Sequence, residues 1–365
     1  MQRSCRQKST SKNGDQGVQK SASINTGGSY GAFLSGKTYE LKSNLDRASC
    51  TIRENDNAFA IVTSEFNIIR EQHVDLHSMV VELQHKTKNT SYALKVRLRT
   101  SDTELEQRIN NEVYFNGAVN FEFIVSLFLS AKDNFCAYLV SELATCGTLL
   151  ELVDKYPRLQ EDHVRFLLAQ VVLALEYLSS ADIAFRSVQA KNLLVFSDGY
   201  LKLTDFRLAK RIVPGEKTYT ICGEYSYRAP EMYSPAGYMN TIDWWSLGVL
   251  AHFVFFGRIP EALAYVNDGP PKFAGNICIP ATSCSDAAKL FLLSLLTIEP
   301  FQRLGVTGFG PDQLRNHKFF ASIDWLCLYE KRQPSPISIP EANQGREFTK
   351  IWFRGSPPTF QMQKT

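Results

Sequence analysis

The sequence predicts an α+β fold in which a β-rich first part is followed by a helical second part. Short strand-like runs recur between residues 66 and 142. Beyond residue 142, apolar residues recur at helical spacing over residues 161–181 and again over residues 285–296, and residues 243–257 are apolar almost all round. Strands and helices that are segregated along the chain in this way indicate an α+β protein.

Length, composition and charge narrow the class of protein. With 365 residues and 44% hydrophobic content, the chain can bury one large core or two modest ones. The net charge of +3 is too small to predict a nucleic-acid or membrane partner, and no apolar run reaches membrane-spanning length. The eight cysteines show neither CxxC nor zinc-ligand spacing, which suits reduced thiols. We therefore expect a cytoplasmic protein, with the nucleus as an alternative, and neither a signal peptide nor N-myristoylation.

The first part of the chain is expected to be disordered. Residues 1–50 are rich in Ser, Gln, Lys and Gly, and their apolar surface is too small to offset the entropy of ordering. Residues 51–65 form a lead-in segment to the first strand, which begins at Phe66. The later strands are expected at residues 80–83, 91–96, 123–125 and 137–140, with a helix over residues 103–119.

A short hairpin near the middle of the chain is flanked by polar loops. Residues 193–195 and 201–203 are short β-runs joined by the turn residues Ser197-Asp198-Gly199, and this pattern predicts a hairpin. One polar loop precedes the hairpin and reads FRSVQAKN over residues 185–192. The other loop follows it and contains Asp205-Phe206-Arg207.

These two loops resemble the catalytic loop and the metal-binding loop of eukaryotic protein kinases, whose patterns are H-R-D-L-x-x-x-N and D-F-G. More matches occur in family order and at family spacing, and they are Lys95 of the V-A-I-K strand, Glu112 of helix αC, Ala229-Pro230-Glu231, Asp243 and Arg303. The resemblance covers about residues 66–326. It is nearest to the AGC group, and within that group to the catalytic subunits of cAMP-dependent protein kinase.

The resemblance implies a protein-kinase-like bilobal fold. A five-stranded antiparallel N-lobe with helix αC would occupy residues 66–142, and a helical C-lobe would occupy residues 143–326. Residues 327–365 would form an AGC-type C-terminal tail, which in that group docks an aromatic motif on the N-lobe. The candidates for docking are Phe348, Trp352 and Phe353, and a loose tail is the alternative.

The resemblance also implies roles for individual residues. The residues that would bind the nucleotide are Val80, Ala93, Lys95, Glu112, Ser141, Glu142 and Leu194. Asn192 and Asp205 would hold Mg²⁺. Structural roles fall to Glu231, Asp243 and Arg303. ATP and Mg²⁺ are therefore the cofactors that the resemblance implies, and whether they bind this chain stays open.

Several residues that carry the chemistry in the family are replaced. Ser187 stands where the family has the aspartate that orients the nucleophile, and Gln189 stands where it has a lysine. Arg207 replaces the D-F-G glycine beside the metal-binding Asp205. Its guanidinium either pairs with Asp205 in place of magnesium or faces solvent.

The phosphate loop and the packing of αC also depart from the family. His73, Asp75 and Ser78 occupy the positions of the three glycines of the family's phosphate loop. Their side chains are expected to obstruct the approach of phosphates unless the loop is displaced. Asn116 stands where the cAMP-dependent family has an apolar residue of the stacked regulatory spine. A polar side chain is expected to weaken the packing of αC there.

These departures favour a pseudokinase that acts as a phosphorylation-responsive binding or scaffold module. The alternative is a weak or unconventional ATP-dependent Ser/Thr kinase. Cyclic-nucleotide-dependent kinases select arginine-rich peptides with acidic side chains. In this sequence, the matching positions are occupied by Thr148, Lys191 and Phe253. We therefore expect protein partners, but no tight binding of regulatory subunits through a pseudosubstrate segment.

Thr220 matches the activation-loop threonine that is phosphorylated in cAMP-dependent kinases. A phosphate there needs cationic partners, and the candidates are Arg108, Arg186 and Lys210. The alternative is that these side chains make only surface ion pairs, which contribute little.

Overall fold

A sheet-rich lobe and a helical lobe make up the computed structural model, which describes residues 30–47, 53–75, 78–156, 159–263, 277, 279–280, 284–306 and 310–337. Each lobe has an apolar core of its own. The core of the first lobe lies on one face of the sheet and includes Val81, Leu83 and Val140. The larger core of the second lobe surrounds the long helix Glu161–Ser180. The predicted α+β fold is therefore confirmed.

Helix α1 (Tyr30–Arg47) shows that the prediction of disorder through residue 50 is wrong for these residues. Its buried residues, Tyr30, Leu34, Leu41 and Leu45, share one face and join the main core. Burial of such a stripe stabilises a helix whose intrinsic propensity is modest. The average composition of the segment concealed this stripe.

Helix α1 contacts both lobes. On the side of the first lobe, Asn44 Nδ2 donates to the carbonyl of Ala118 at 3.0 Å. On the side of the second lobe, Lys42 Nζ lies 3.0 Å from Asp182 Oδ2. Helix α1 therefore links the two lobes.

An antiparallel sheet forms the first lobe. Its strands are β1 (Arg53–Glu54), β2 (Phe66–Asp75), β3 (Ser78–His85), β4 (Ser91–Leu98), β5 (Leu127–Lys132) and β6 (Cys136–Glu142). The order across the sheet is β1-β5-β6-β4-β3-β2, and every pair is antiparallel except β1 with β5. The five antiparallel strands confirm the prediction. The short parallel strand β1 was not predicted, because two residues carry no alternation pattern.

Two helices complete the first lobe. Helix α2 (Ala58–Glu65) begins at Asn57, whose side chain accepts the N–H of Ala60 at 3.1 Å, and its apolar residues pack on the sheet. Helix α3 (Thr103–Ala118) begins at Asp102 in the same manner, and it is the predicted αC helix. The carboxylates in its first turn stabilise the helix, because they lie at the positive end of the helix dipole.

Helices dominate the second lobe. They are α4 (Leu149–Lys155), α5 (Glu161–Ser180), α6 (Ile242–Phe256), α7 (Asp286–Leu295), α8 (Asp312–Arg315) and α9 (Trp325–Tyr329). Strands β7 (Ile183–Ala184) and β10 (Lys210–Arg211) pair, and β8 (Leu193–Val195) pairs with β9 (Leu201–Leu203). The predicted hairpin and the three long helices of this lobe are thus confirmed, with helix ends within one residue of the prediction.

The prediction of a strand at residues 123–125 is wrong. This buried run makes one isolated bridge, from Ile124 to Leu203 of β9, and the sheet strand starts later, at Leu127. A short apolar run is compatible with several buried conformations, so periodicity alone could not place the strand.

The first residues of the C-terminal tail lie against the β8–β9 turn. Lys331 Nζ lies 3.0 Å from Asp198 Oδ2 in that turn. The aromatic residues that were predicted to dock, Phe348, Trp352 and Phe353, lie outside the described residues, and their docking stays a prediction. None of the helices that the structure describes is both long and apolar enough to cross a bilayer.

Candidate active-site cleft

Two basic side chains of strand β4 share one carboxylate of helix α3. Lys95 and Arg97 are two residues apart, so they project from the same face of the strand. Lys95 Nζ lies 2.8 Å from Glu112 Oε1, and Arg97 Nε lies 2.8 Å from Glu112 Oε2. The side chains of Arg97 and Glu112 are only 8% and 3% exposed. The structure therefore forms the lysine–glutamate pair that the resemblance implies, and Arg97 adds a second cation to it.

Asp205 is held by an arginine two residues later. Its backbone is left-handed, with φ of 75°, and this turn places Arg207 beside it. Arg207 Nε and Nη2 donate to Asp205 Oδ1 and Oδ2, both at 2.6 Å. Bidentate pairing is a strong geometry for an arginine and a carboxylate. Of the two alternatives for Arg207, the structure shows the pairing with Asp205.

Glu112 and Asp205 are buried carboxylates that neighbouring cations keep ionised. Burial by itself raises their pKa values, but the cations outweigh it, and the pKa of each carboxyl is lowered. Lys95 and Arg97 act on Glu112, and both act on Asp205 together with Arg207. Arg97 Nη2 also lies 3.9 Å from Asp205 Oδ1. These five side chains therefore form one cluster, which we call the charge cluster.

The charge cluster does not fit a divalent cation. Mg²⁺ needs oxygen ligands, and the family supplies them from the positions of Asp205 and Asn192. Both carboxylate oxygens of Asp205 already accept from Arg207. A divalent ion there would also lie beside the guanidinium of Arg97, and like charges repel. Elsewhere in the described part of the chain, no group of three or more His, Cys, Asp or Glu side chains is placed to hold a metal.

Hydrogen bonds between uncharged side chains hold the catalytic loop together. Asn192 Nδ2 donates to the hydroxyl of Ser187 at 2.7 Å, and Gln189 Nε2 donates to the same hydroxyl at 3.4 Å. All three side chains are buried. A serine hydroxyl is too weak a base to accept a substrate proton usefully near neutral pH, so these residues can position a ligand but offer no general base.

Helix α6 anchors the catalytic loop through Asp243. Its carboxylate accepts the backbone N–H groups of Phe185 at 2.7 Å and Arg186 at 2.8 Å. Burial raises the pKa of Asp243 to about 6, although both donors act in the opposite direction. The Phe185 ring meets Phe206 edge to face, with centroids 5.1 Å apart. The frame of the loop is therefore built as the resemblance implies.

A buried ion pair fixes the end of residues 218–231, which resemble the activation segment of the AGC group, to the helical lobe. Arg303 Nη1 and Nη2 donate to Glu231 Oε1 at 2.6 Å and Oε2 at 3.0 Å. The Arg303 side chain is 0% exposed, and its guanidinium also lies over the ring of Trp245 at 5.3 Å. The structure thus places this pair where the resemblance puts it.

Helix α3 carries an unpaired polar group on its inner side. Asn116 is buried, and its side-chain oxygen Oδ1 has no hydrogen-bond partner in the described part of the chain. Leaving a buried acceptor unpaired costs about 1–3 kcal/mol. The sequence comparison with the cAMP-dependent family identified Asn116 as unusual, because that family has an apolar residue at this position.

Replacing Asn116 by leucine is expected to raise the free energy of unfolding by about 1–3 kcal/mol, because leucine keeps the branched shape of the side chain and removes the unpaired oxygen. Denaturant unfolding followed by tryptophan fluorescence measures the change. Asn110→Leu, at a partly exposed position on the same helix, is the control and should stay within about 0.5 kcal/mol of the parent. Equal effects of the two substitutions would contradict the expectation.

The residues predicted to enclose adenine line the region where the sheet faces the hairpin. Val80 lies opposite Lys95 in the β3–β4 ladder, and Ala93 lies opposite Ser141 in the β4–β6 ladder. Leu194 is in the hairpin of the other lobe. The side chains of all three residues are partly exposed.

The turn between β2 and β3 takes the place of the glycine-rich loop. Asp75 pairs with Ser78, so only two residues connect the strands. The side chains of His73 and Asp75 lie outside the described residues. The predicted obstruction of the phosphate approach therefore stays a prediction.

The three cations predicted to bind a phosphate on Thr220 have other partners in this structure. Arg186 donates to the Tyr238 hydroxyl at 3.2 Å, and that hydroxyl donates to the carbonyl of Thr220. Lys210 donates at 2.9 Å to the threonine two residues before Thr220, and Arg108 pairs with a glutamate of its own helix. Thr220 itself is exposed. Its phosphorylation stays a prediction.

The positions that differ from the peptide-binding acids of the family have separate structural roles. Thr148 caps helix α4, with its hydroxyl accepting the N–H of Glu151 at 3.3 Å. Lys191 is exposed and lies 3.6 Å from Glu224, and Phe253 is buried in the main core.

Sequence reasoning missed two basic residues near the cleft. One is Arg97, whose signal was its position two residues after Lys95. The other is Lys202 of β9, which is buried and whose Nζ lies 2.6 Å from Oε2 of Glu142, the last residue of β6. Alternation along each strand could have placed both inside, but nothing in the sequence identified their partners.

The family model described as the protein kinase domain matches residues 77–320. The cAMP-dependent protein kinase type 3 of Saccharomyces cerevisiae is 30% identical over 349 residues, which cover 92% of this chain and 85% of that protein. The human cAMP-dependent protein kinase catalytic subunit PRKX is 30% identical over 270 residues, which cover 72% of this chain and 74% of that protein.

A third relative is much longer than this chain. The cAMP-dependent protein kinase catalytic subunit of Dictyostelium discoideum is 31% identical over 304 residues, which cover 82% of this chain but only 44% of that protein. The match to the family model covers more than half of the chain, and it contains the Lys95–Glu112 pair, the catalytic loop and the Glu231–Arg303 pair. The chain therefore belongs to the protein kinase domain family and is related to the catalytic subunits of cAMP-dependent protein kinases.

Proposed function

We propose that this chain is a pseudokinase, which uses a protein kinase fold to bind proteins and does not transfer phosphate. The observation that carries the proposal is the bidentate pairing of Arg207 with Asp205, at 2.6 Å for both contacts. The pairing places a fixed cation of the protein where the family binds Mg²⁺. Phosphoryl transfer depends on that metal to neutralise the developing charge.

The catalytic loop supports the same proposal. Ser187 supplies a hydroxyl where the family supplies a carboxylate, and loss of general-base help alone lowers a rate about 10²–10⁴-fold. Gln189 supplies no charge to the transferring phosphate. The two replacements and Arg207 affect separate parts of the mechanism, so compensation of any one of them leaves the others.

A single-turnover assay with radiolabelled ATP, magnesium and a mixture of Ser/Thr peptides tests the proposal. We expect the parent to transfer no more phosphate than Lys95→Ala. Ser187→Asp and the combined variant with Ser187→Asp, Gln189→Lys and Arg207→Gly serve as comparators. Transfer by the parent that Lys95→Ala abolishes would overturn the proposal in favour of a weak or unconventional Ser/Thr kinase. The intact Lys95–Glu112 pair is the observation that keeps this alternative in view.

The purified protein is expected to show little thermal stabilisation by ATP and magnesium, since Asp205 is already paired with Arg207. A ligand present at 100 times its Kd stabilises a protein by about 2.7 kcal/mol, which shifts the melting temperature by several degrees. Differential scanning fluorimetry at millimolar ATP measures the shift, with Arg207→Gly as the matched variant. A shift of several degrees in the parent that Lys95→Ala removes would contradict the expectation.

The partners in this proposal are proteins. Lys191 and Thr148 stand in place of acidic peptide-binding residues, which disfavours regulatory subunits that bind through a basic pseudosubstrate segment. Phosphorylation of Thr220 is the proposed control, because Arg186 and Lys210 both lie beside the segment that carries it. Phosphorylation would then change the conformation of the segment that carries Thr220, and this change would control the binding of protein partners.

A further inference from the structure

An open cavity of about 360 Å³ lies beside the catalytic loop, between helix α3 and the activation segment. Four cationic side chains line it, namely Arg108, Lys191, Arg207 and Arg228. Two carboxylates, Asp205 and Glu224, also line it. The charge of the lining is therefore positive, which is opposite to what an arginine-rich peptide requires.

Each carboxylate of the lining is paired with one cation of the lining, so the excess positive charge of the cavity comes from its two other cations. Asp205 is buried and accepts both hydrogen bonds from Arg207, while Arg97 lies 3.9 Å away on its other side. Glu224 is about half exposed and lies 3.6 Å from Lys191, a loose surface pair of the kind that contributes little. A better anion can displace such a pair at small cost.

The cavity also presents oriented donors. Arg228 Nε and Nη2 both donate to the carbonyl of Gly223, at 3.0 and 2.9 Å, and these bonds hold the guanidinium at the cavity wall. Ser187 and Gln189 add neutral polar groups on the catalytic-loop side. Arginine forks with neutral hydrogen-bonding neighbours match the geometry of a phosphoryl group.

We infer that this cavity binds the phosphorylated side chain of an acidic protein segment, directly and without a metal ion. The cavity is bordered by residues 221–224 of the activation segment and not by Val80, Ala93 or Leu194, which favours a peptide over a nucleotide. The inference rests on the proposed function, since it names the chemistry of the protein partner. It requires that the charge cluster stay assembled without magnesium.

Fluorescence polarisation of the purified full chain in EDTA tests the inference. The probe is a labelled Glu/Gly peptide with one central phosphoserine, compared with the same peptide carrying serine and with an arginine-flanked serine peptide. We expect the phosphopeptide to bind at least about tenfold more tightly than either comparison peptide, and the difference to shrink at high salt.

Matched variants locate the site. Lys191→Gln and Arg228→Gln should each weaken phosphopeptide binding about tenfold, whereas Arg258→Gln, which removes an exposed arginine paired with Glu261, should have no effect. Lys191 is exposed, so its substitution leaves the fold intact. Thr220→Ala should bind like the parent, whereas tighter binding by this variant would show that the chain's own phosphothreonine competes for the site.

Several outcomes would overturn the inference. They are absence of binding, equal binding of the serine and phosphoserine peptides, equal loss in Lys191→Gln and Arg258→Gln, and tighter binding by Thr220→Ala. Displacement of the peptide by equimolar ATP or inorganic phosphate in EDTA would assign the site to a free phosphate compound instead, and this also contradicts the inference. The assay contains no nucleotide in its binding arms, so its failure leaves the result of the single-turnover assay unchanged.

Discussion

Replacing Glu112 by glutamine is expected to lower the free energy of unfolding by about 3–5 kcal/mol, which is the usual cost of removing one partner from a buried ion pair. Lys95 and Arg97 both lie 2.8 Å from this carboxylate, and the Arg97 side chain is 8% exposed. The substitution keeps the shape of the side chain and removes its charge, so two cations lose their shared counter-ion in a buried setting. Denaturant unfolding measured by tryptophan fluorescence gives the change.

The same helix offers a matched control. Glu106 also pairs with two cations, Arg99 and Lys132, at 2.9 and 3.3 Å, but its side chain is 22% exposed. Because solvent screens this pair, Glu106→Gln should cost no more than about 1 kcal/mol. If the two glutamine variants lose equal stability, the charge cluster is not a buried structural unit.

Replacing Glu231 by glutamine is expected to cost a similar amount, about 3–5 kcal/mol. Arg303 is 0% exposed, and the carboxylate of Glu231 takes both of its terminal nitrogens, at 2.6 and 3.0 Å. The backbone carbonyl of Thr297 remains as an acceptor, but it carries no compensating charge. We also expect faster amide hydrogen exchange in the activation segment, because the pair fixes the end of that segment.

Glu224→Gln is the control for this second substitution. It lies in the same segment, but its side chain is about half exposed and its partner Lys191 is 3.6 Å away. Its stability should stay within about 0.5 kcal/mol of the parent. Unchanged hydrogen exchange in Glu231→Gln would show that the activation segment is held by other contacts.

The parts of the fold that sequence reasoning predicted well have strong local signals. The hairpin of β8 and β9 has a turn of the expected composition, and α5 has an apolar stripe over its whole length. Helix α1 was missed because its stripe lies in a segment that is polar on average. The strand predicted at residues 123–125 was misplaced, since a short buried run is compatible with several backbone conformations.

In the candidate site, the sequence located the replaced residues but not their partners. The position of Arg207 beside Asp205 was evident, yet two outcomes were open, and only the bidentate geometry distinguishes them. Arg97 was not anticipated at all. Its importance depends on the packing of β4 against α3, which is a tertiary contact without a local sequence signal.

Helix α1 has a consequence for the choice of expression boundaries. The family match begins at residue 77, but a fragment starting there would lack the leucines at 41 and 45, which are 0% and 3% exposed in the core. Their removal would uncover the apolar surface against which helix α1 packs, and exposed apolar patches promote aggregation. The shortest fragment that preserves this contact therefore begins near Tyr30, well before the boundary that homology suggests.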